Sequence, residues 1–310
     1  MKLKMYLFLL LIFCGNLMIA QQDAQYTNYM YNTLQFNPAY TGSKAVLSVF
    51  GLHRSQWVGL TGAPVTSTFS IQSPLGNQNL GLGLSVINDR IGPSDETNIS
   101  TNISYFVPIS ANFNLAFGLS ASANLFGVDY TKLKIRNLDD GLLAQNRKTE
   151  FSPNFGAGLF LYSDKTYFGI SVPSFLETTH FDKKQTNFNI NALATECLHF
   201  YMIAGKVFDL NSDLLFKPSM LAKIVTGAPL QIDVSANFMY LEKVVVGAAY
   251  RWDAAVSGLL GFQVSKSWFI GYAYDTEVTK LENYNSGSHE IFLRFEAFSG
   301  PTKIIAPRFF

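Results

Sequence analysis

The sequence predicts an all-β fold: a transmembrane antiparallel β-barrel of about 14 strands, with long extracellular loops and short periplasmic turns. Three observations lead to this fold class. Apolar and polar side chains alternate along most of the chain after residue 40. The 310 residues include only 15% charged residues, against about 25% in ordinary soluble domains. The connections between the alternating segments also sort by length, with a short one after every second segment.

The alternation is the main evidence for strands. In 113–125 every second residue is apolar, and Asn, Ala, Gly or Ser stand between them. In 290–296, Ile291 and Leu293 fall on the face opposite Glu290. Successive side chains of a strand point to opposite faces, so each segment has one apolar face and one small or polar face. The predicted strands are 45–53, 64–72, 79–88, 96–107, 112–127, 150–163, 166–173, 197–208, 213–223, 229–241, 243–252, 255–265, 267–276 and 287–298.

Two architectures contain strands of this kind. A soluble sandwich buries its apolar faces, whereas a transmembrane barrel turns its apolar face to lipid. The segments run about 10 residues, which is the length that a tilted strand needs to cross a bilayer. Trp252 and Trp268 fall near strand ends, as in the aromatic girdles of barrels. The barrel is therefore the predicted architecture.

Loop length supports the barrel independently. The long connections, 54–63, 128–149, 174–196 and 275–286, all follow odd-numbered strands. Connections after even-numbered strands have at most six residues. Bacterial barrels have short periplasmic turns and longer extracellular loops, so the long connections are predicted to lie outside the cell.

The chain begins with a predicted secretory signal peptide. Lys2 and Lys4 precede an apolar stretch, 5–15, that is too short to span a bilayer. Removal after Ala20 leaves an exported chain, which we expect in the outer membrane of a Gram-negative bacterium. The predicted regions are the signal peptide 1–20, a periplasmic or plug-like segment 21–44, the barrel 45–298 and a C-terminal tail 299–310.

Composition and motifs argue against several functions. A formal charge of +1 gives no basic excess for binding nucleic acid. The four histidines are scattered, and the sequence has no phosphate-binding loop or nucleophile elbow. Cys197 and His199 share a strand face, but a structural role is the simpler interpretation. We therefore predict no catalytic residues, no cofactor and no metal site.

Polar and aromatic clusters stand out from the regular strand pattern. Asn-Pro with a following Gly is a turn signal, and Arg close to Trp can anchor loops through hydrogen bonds and cation–π contacts. Structural packing of loops and strand ends fits these clusters, and so does a docking face for a partner. The clusters are Tyr29-Met30-Tyr31-Asn32, Asn37-Pro38-Ala39-Tyr40-Thr41-Gly42, Arg54, Gln56-Trp57, Gly59, Gly62-Ala63-Pro64, Tyr250-Arg251, Tyr272-Ala273-Tyr274-Asp275 and Gly287-Ser288-His289-Glu290.

The order and spacing of these clusters resemble the PorP/SprF family of type IX secretion system outer-membrane proteins. The resemblance implies a non-enzymatic barrel that assists the secretion or surface attachment of a particular large cargo protein. It implies three kinds of partner: cargo with a C-terminal sorting domain, machinery proteins of the periplasm and outer membrane, and membrane lipid. The residues predicted for partner binding are Asn37, Pro38, Gly42, Arg54, Trp57, Gly59, Arg251, Asp275, His289 and Glu290.

Other functions stay open at this stage. A barrel of about 14 strands leaves a lumen unless it is plugged, so a passive outer-membrane channel for small solutes is the main alternative. A barrel hydrolase is a third hypothesis, although no Ser/His/acid set stands out. Conductance in planar bilayers separates a channel from a secretion component.

Overall fold

A closed antiparallel barrel of 14 strands forms the body of the chain, which confirms the predicted fold. The computed structural model describes residues 25–76, 79–132, 148–176, 198–226 and 228–297. The predicted signal peptide and C-terminal tail lie outside these residues. The strands are β1 (Leu47–Ser55), β2 (Val65–Pro74), β3 (Leu80–Ile91), β4 (Ser94–Pro108), β5 (Asn114–Val128), β6 (Lys148–Tyr162), β7 (Thr166–Val172), β8 (His199–Lys206, resumed at Phe208–Asp209), β9 (Leu214–Val225), β10 (Gln231–Tyr240), β11 (Val244–Arg251), β12 (Ala255–Gln263), β13 (Trp268–Glu277) and β14 (Ser288–Ala297).

Each strand pairs with its neighbours in sequence, and β14 pairs with β1 to close the ring. The strand end that differs most from the prediction is that of β3, which continues to Ile91, where it pairs with Ser94. The reason is a tight turn in which Gly92 adopts φ +57°, so the two strands need almost no loop. Within the described residues, helices are short 3-10 turns, and none has the length and hydropathy of a membrane span.

The two faces of the wall differ as the alternation predicts. On β14, Ile291 and Leu293 are exposed on the outer face, whereas Glu290, Phe292 and Arg294 are buried on the inner face. The same division recurs on the other strands, where exposed Phe, Leu, Ile and Val side chains of the outer face alternate with buried side chains of the inner face. An apolar outer face of this kind suits contact with lipid.

The two rims of the barrel differ in their connections. At one, the long-loop rim, the connections include 56–64, 129–147, 173–198 and 278–287. At the other, the short-turn rim, consecutive strands are joined by three to five residues. That the long-loop rim faces the outside of the cell stays a prediction.

Residues 25–45, the lumen segment, lie inside the barrel and touch the wall on several sides. Tyr29 Oη hydrogen-bonds Ser235 on β10 (3.2 Å), and Asn37 Nδ2 donates to the carbonyl of Leu159 on β6 (2.9 Å). These strands lie on different sides of the ring. The segment includes two short 3-10 helices, Thr33–Gln35 and Pro38–Tyr40.

The lumen segment runs from one rim toward the other. At its start, Gln25 Nε2 donates to Gln231 (3.1 Å), which is the first residue of β10 at the long-loop rim. At its end, Lys44 pairs with Glu296 (2.5 Å), close to the end of β14 at the short-turn rim. The chain then enters β1 from the short-turn rim.

Aromatic rings form much of the contact between the lumen segment and the wall. The ring of Tyr31 lies 5.5 Å from Phe269 and 5.0 Å from Phe292, and Phe36 lies 5.2 Å from Tyr201. Such pairs each contribute about 0.5–1.5 kcal/mol beyond the burial of apolar area. The buried apolar cluster of the protein therefore lies in the lumen, between the segment and the wall.

Candidate functional site

A buried charged cluster, the mouth network, lies at the long-loop end of the lumen and consists of Thr27, Asn28, Arg54, Asp275 and Glu290. Arg54 Nη2 lies 2.6 Å from Asp275 Oδ2, and Arg54 Nη1 lies 3.0 Å from Glu290 Oε2. Arg54 and Asp275 are each 1% exposed, and Glu290 is 0% exposed. The three side chains meet because they point inward from β1, β13 and β14, which are adjacent strands.

The lumen segment completes the mouth network. Glu290 accepts from the backbone N–H of Thr27 (2.9 Å) and of Asn28 (2.8 Å), from Asn28 Nδ2 (2.7 Å) and from Arg54. Four donors match the acceptor capacity of a carboxylate. Thr27 Oγ1 donates to Asp275 (2.7 Å) and accepts from Arg54 (2.9 Å). Hydrogen bonds from the segment thus offset the desolvation of two carboxylates that share one guanidinium.

A second ion pair lies beside the mouth network. Arg251 Nε on β11 lies 2.6 Å from Asp233 Oδ1 on β10. Arg251 Nη2 also donates to the carbonyl of Tyr26 (3.3 Å). The two predicted arginines, Arg54 and Arg251, therefore bind consecutive residues of the lumen segment.

Three of the predicted residues outside the mouth network lie in the β1–β2 loop or on the outer face. Trp57 is in the β1–β2 loop at φ +46°, and its Nε1 donates to Glu277 (2.8 Å). Gly59, in the same loop, has φ +102°, which favours glycine. His289 is exposed on the outer face, where its Nδ1 hydrogen-bonds Tyr272 Oη (2.7 Å). Neighbouring residues of a strand point to opposite faces, so His289 faces away from the lumen.

A glycine-lined groove in the inner wall, formed by Gly81, Gly118 and Gly158, holds the middle of the lumen segment. A Cβ atom on Gly118 would lie 2.1 Å from the backbone nitrogen of Ala39, and one on Gly158 would lie 2.1 Å from Asn37 Oδ1. Real Cβ atoms essentially never approach other atoms so closely. The groove therefore admits the segment only because these wall positions have no side chain.

The predicted residues Asn37, Pro38 and Gly42 lie in or beside this groove. The Asn37 Oδ1 atom accepts from the N–H two residues further on (2.9 Å), which caps the 3-10 helix that begins at Pro38. Gly42 has φ +74°, and its N–H donates to Gln72 Oε1 on β2 (2.9 Å). These residues thus position the lumen segment against the wall.

A basic cluster lies toward the short-turn rim. Glu296 pairs with Lys44 (2.5 Å) and with Arg294 Nε (3.2 Å). The ammonium of Lys217, which is buried, lies 5.2 Å from the centroid of the Tyr31 ring. Burial, and then the Arg294 charge, lower the pKa of Lys44 to about 8. No local sequence pattern indicates this cluster, because its members come from distant segments.

A cavity of about 190 Å³ with a mixed polar and apolar lining remains between the lumen segment and the wall. Ser and Asn side chains of β4 and β5 line it, together with Asp89, Glu96 and Tyr201. At the density of liquid water it holds about six molecules. Among the described residues, no group of three or more His, Cys, Asp or Glu side chains could hold a metal ion.

Besides the basic cluster, three residues of the mouth network and of the ion pair beside it were not predicted: Thr27, Asn28 and Asp233. Thr27 and Asn28 precede the first strand, where no alternation indicates which way a side chain points. Asp233 offered a better signal, because it pairs directly across the β10–β11 hairpin with Arg251. Setting the register of those two predicted strands would have identified the ion pair.

A comparison with known protein families assigns the chain to one of them. The profile of the family described as type IX secretion system membrane protein PorP/SprF matches residues 18–295. The chain belongs to the PorP/SprF family. This confirms the resemblance found in the sequence and, with the barrel, places this PorP/SprF protein in the outer membrane as a component of type IX secretion. None of the curated proteins matches the chain.

Solved structures similar to this PorP/SprF protein include outer-membrane barrels. The outer membrane protein Omp33 of Acinetobacter baumannii is 9% identical, with 82% of this chain and 100% of that chain covered and a TM-score of 0.45. A FadL homologue of Pseudomonas aeruginosa is 12% identical, with 91% and 95% covered and a TM-score of 0.45. The KdgM porin is 9% identical, with 81% and 99% covered and a TM-score of 0.37.

Proposed function

We propose that this PorP/SprF protein assists the secretion or surface attachment of one large cargo protein. It does so by binding the C-terminal sorting domain of the cargo, machinery partners, or both, and it catalyses no reaction. The observation that carries this proposal, beside the family, is the docked lumen segment. Ion pairs, hydrogen bonds and close packing hold residues 25–45 inside the barrel, which suits a binding component better than an open pore.

The docked segment also argues against a passive solute channel. The region 21–44, of which residues 25–44 are described, acts in this proposal as a plug. Accessibility labelling of a cysteine at Asn37, in intact cells and in open membrane fragments, tests it. Protection in both preparations is the expected result, whereas equal and complete labelling in both would rule out a plug.

The long-loop rim supplies the proposed partner-binding surface. The β1–β2 and β13–β14 loops are joined there by two backbone hydrogen bonds, from Val58 N to Gly287 O (2.9 Å) and from Ser286 N to Val58 O (2.8 Å). Trp57 N donates to Ser288 Oγ (3.2 Å), which adds a third tie. The joined loops connect directly to the strands that carry the mouth network, so a partner on this surface would contact a rigid part of the barrel.

The test of the proposed function is comparative proteomics of culture medium and cell surface in a strain that lacks this gene. Loss of one or a few large proteins with C-terminal sorting domains is the expected result. Loss of nearly all such proteins would instead indicate a core part of the machinery. An unchanged set of secreted proteins, in a strain from which any paralogous genes are deleted as well, would contradict the proposal.

A further inference from the structure

A patch of polar side chains interrupts the apolar outer face of the barrel on β1, β2, β13 and β14. By contrast, the outward positions of β12 hold only Val, Gly, Leu and Phe. The polar side chains are exposed or half-buried and point away from the lumen. We call them the outer patch: His53, Ser55, Ser67, Tyr272 and His289.

Strand register brings the members of the outer patch together. Ser67 lies opposite His53, and His289 lies opposite Ser55. His53 Nδ1 hydrogen-bonds Ser67 Oγ (2.9 Å), and His53 Nε2 lies 3.5 Å from Ser55 Oγ. His289 Nδ1 hydrogen-bonds Tyr272 Oη (2.7 Å), and no other described residue hydrogen-bonds its Nε2. His53 and His289 are diagonal neighbours, which lie about 7–8 Å apart on adjacent strands, so one small group can contact both imidazoles.

The outer patch lies in the leaflet on the long-loop side of the membrane. A tilted strand crosses the bilayer in about 9–11 residues, and β1 and β14 have nine and ten residues. Counted from the short-turn rim, His53 is the seventh residue of β1 and His289 is the ninth residue of β14. These positions lie toward the level at which acyl chains give way to lipid headgroups.

An apolar notch lies directly below the outer patch, on the side of the short-turn rim. Gly51 precedes His53 on the same face of β1, and a Cβ atom on Gly51 would meet no atom within 4 Å. In the register Gly51 lies between Phe69 on β2 and Leu293 on β14, whose side chains are both exposed. The notch therefore fits one acyl chain against β1, with Phe69 and Leu293 at its sides.

The charges around the outer patch favour a phosphate group. Imidazole N–H and serine hydroxyl groups donate hydrogen bonds, and phosphate oxygens accept them. No carboxylate points outward from the four strands that form the patch. Their acidic residues all occupy inward positions: Asp275, Glu277, Glu290 and Glu296. A phosphate at the patch therefore meets donors and no opposing negative charge.

We propose that the outer patch and the Gly51 notch form a binding site for one phospholipid of the surrounding membrane. The phosphate lies between His53 and His289, and an acyl chain lies in the notch. A free phosphate would leave the notch uncovered, and a hydrocarbon would leave the polar groups of the patch without hydrogen bonds. A stable protein interface engages about 20–30 residues on each side, far more than the five residues of the patch. The site does not depend on the proposed function.

Native mass spectrometry of the purified full-length protein in detergent tests the ligand. Dioleoyl phosphatidylglycerol should saturate at one tightly held molecule. It should bind at least tenfold more tightly than dioleoylglycerol, which has the same chains and no phosphate, and than glycerol phosphate, which has no chains. Equal binding of dioleoylglycerol would overturn the phosphate contact. Equal binding of glycerol phosphate would leave a free anion as the ligand and overturn the lipid site.

Substitutions in the same titration test the place of binding. His53→Ala combined with His289→Ala should weaken phosphatidylglycerol at least tenfold, whereas Thr101→Ala, at an exposed outward position of β4, should weaken it less than twofold. Equal effects would overturn the site. Circular dichroism checks that each variant keeps the barrel. If the double variant fails to fold, the ligand series on the wild-type protein still decides between a phospholipid and the other ligands.

The notch has a matched control of its own. Gly51→Leu should weaken phosphatidylglycerol at least fivefold by filling the notch. Gly258→Leu should leave binding unchanged, because position 258 is also outward and open but lies away from the notch. Equal binding by the two variants would overturn the acyl-chain contact.

A photo-reactive benzophenone side chain in place of Ser67, in living cells, separates a lipid from a protein on this surface. Labelling of phospholipid is the expected result. Labelling of one defined protein instead would assign the outer patch to a protein partner and overturn the lipid site.

Discussion

The mouth network and the glycine-lined groove hold the same segment by different physical means. At the mouth, five polar residues are joined by ion pairs and hydrogen bonds, and the segment contributes backbone N–H groups to a buried carboxylate. In the groove, the wall contributes mainly the absence of side chains, since a Cβ on Gly118 would overlap the backbone of Ala39. The contacts at the mouth therefore depend on the presence of every charged or polar partner. The contacts in the groove depend on the volume that the wall leaves free for the segment.

The difference suggests that the two ends of the lumen segment can be released separately. Chymotrypsin cleaves after tyrosine, so Tyr26 and Tyr29 report on the mouth, and Tyr40 reports on the groove. All three side chains are buried in the docked state. The following substitutions are arranged from the largest expected effect to the smallest.

Arg54→Ala should destabilise the barrel most, by about 3–5 kcal/mol, because it removes the cation that two buried carboxylates contact. The loss is measured by urea denaturation, and cleavage after Tyr26 and Tyr29 should accelerate more than cleavage after Tyr40. Arg90→Ala is the control. The side chain of Arg90, which pairs with Asp95, is 65% exposed, so this ion pair should contribute less than about 1 kcal/mol to stability. Equal effects of the two substitutions would contradict a special role for the mouth.

Gly118→Ala should cost about 1–3 kcal/mol by overpacking and should release the groove end of the segment. Faster cleavage after Tyr40, with little change at Tyr26, is the expected pattern. Gly258→Ala is the matched control, because a Cβ there meets no atom within 4 Å. If Gly118→Ala leaves cleavage unchanged, close approach of wall and segment is not what holds the groove end.

Raising the pH should strengthen docking near Lys44. The pKa of docked Lys44, about 8, lies below its ordinary value of 10.5. Between pH 8 and pH 10.5, Lys44 keeps its proton in the released segment but has lost it in the docked segment. Docking therefore becomes more favourable as the pH rises. From pH 7.5 to 9.5 the free energy of docking should become more favourable by at most about 2 kcal/mol.

The readout of this pH effect is the rate of cleavage after Tyr40, corrected for protease activity with an unfolded substrate. Measurements should stop below pH 10, because burial raises the pKa of Tyr31 and Tyr40, and the released tyrosines ionise first. The Lys44→Met variant should show no such slowing. A wild-type rate that rises with pH would contradict the assigned direction.

Trp57→Phe should have the smallest effect, about 0.5–1.5 kcal/mol, by removing one hydrogen bond to Glu277. The effect should appear as faster proteolysis within 56–64, with the lumen segment still protected. Trp252→Phe is the control, since its Nε1 bonds only the adjacent Asp253 at an exposed turn. Release of the lumen segment by Trp57→Phe would show that the loops and the mouth act as one unit.

Alternation allowed the barrel to be predicted, because each strand side chain has only two possible directions. The 14 predicted strands correspond to the strands observed, and the largest shifts are at ends such as Ile91, where a tight turn replaces a loop. The same rule places His289 on the opposite face from Glu290. Grouping those two residues in one candidate site overlooked this consequence of the pattern.

Contacts made by the lumen segment could not be predicted in the same way. Thr27 reaches Glu290 across 263 positions of sequence, and no local period specifies such a pairing. The glycines of the groove gave the same difficulty, because Gly118 and Gly158 fit a small-residue inner face whether or not another segment packs on them. Long-range contacts of this kind depend on the closed ring, which the sequence specifies only through all its strands together.

The most direct test of a barrel filled by its own segment is single-channel recording of the purified wild-type protein in planar bilayers, beside the Gly118→Ala variant. We expect no steady conductance from the wild type and frequent openings from the variant. A steady wild-type conductance equal to that of the variant would mean that the lumen is open, and would favour the passive channel over the binding component.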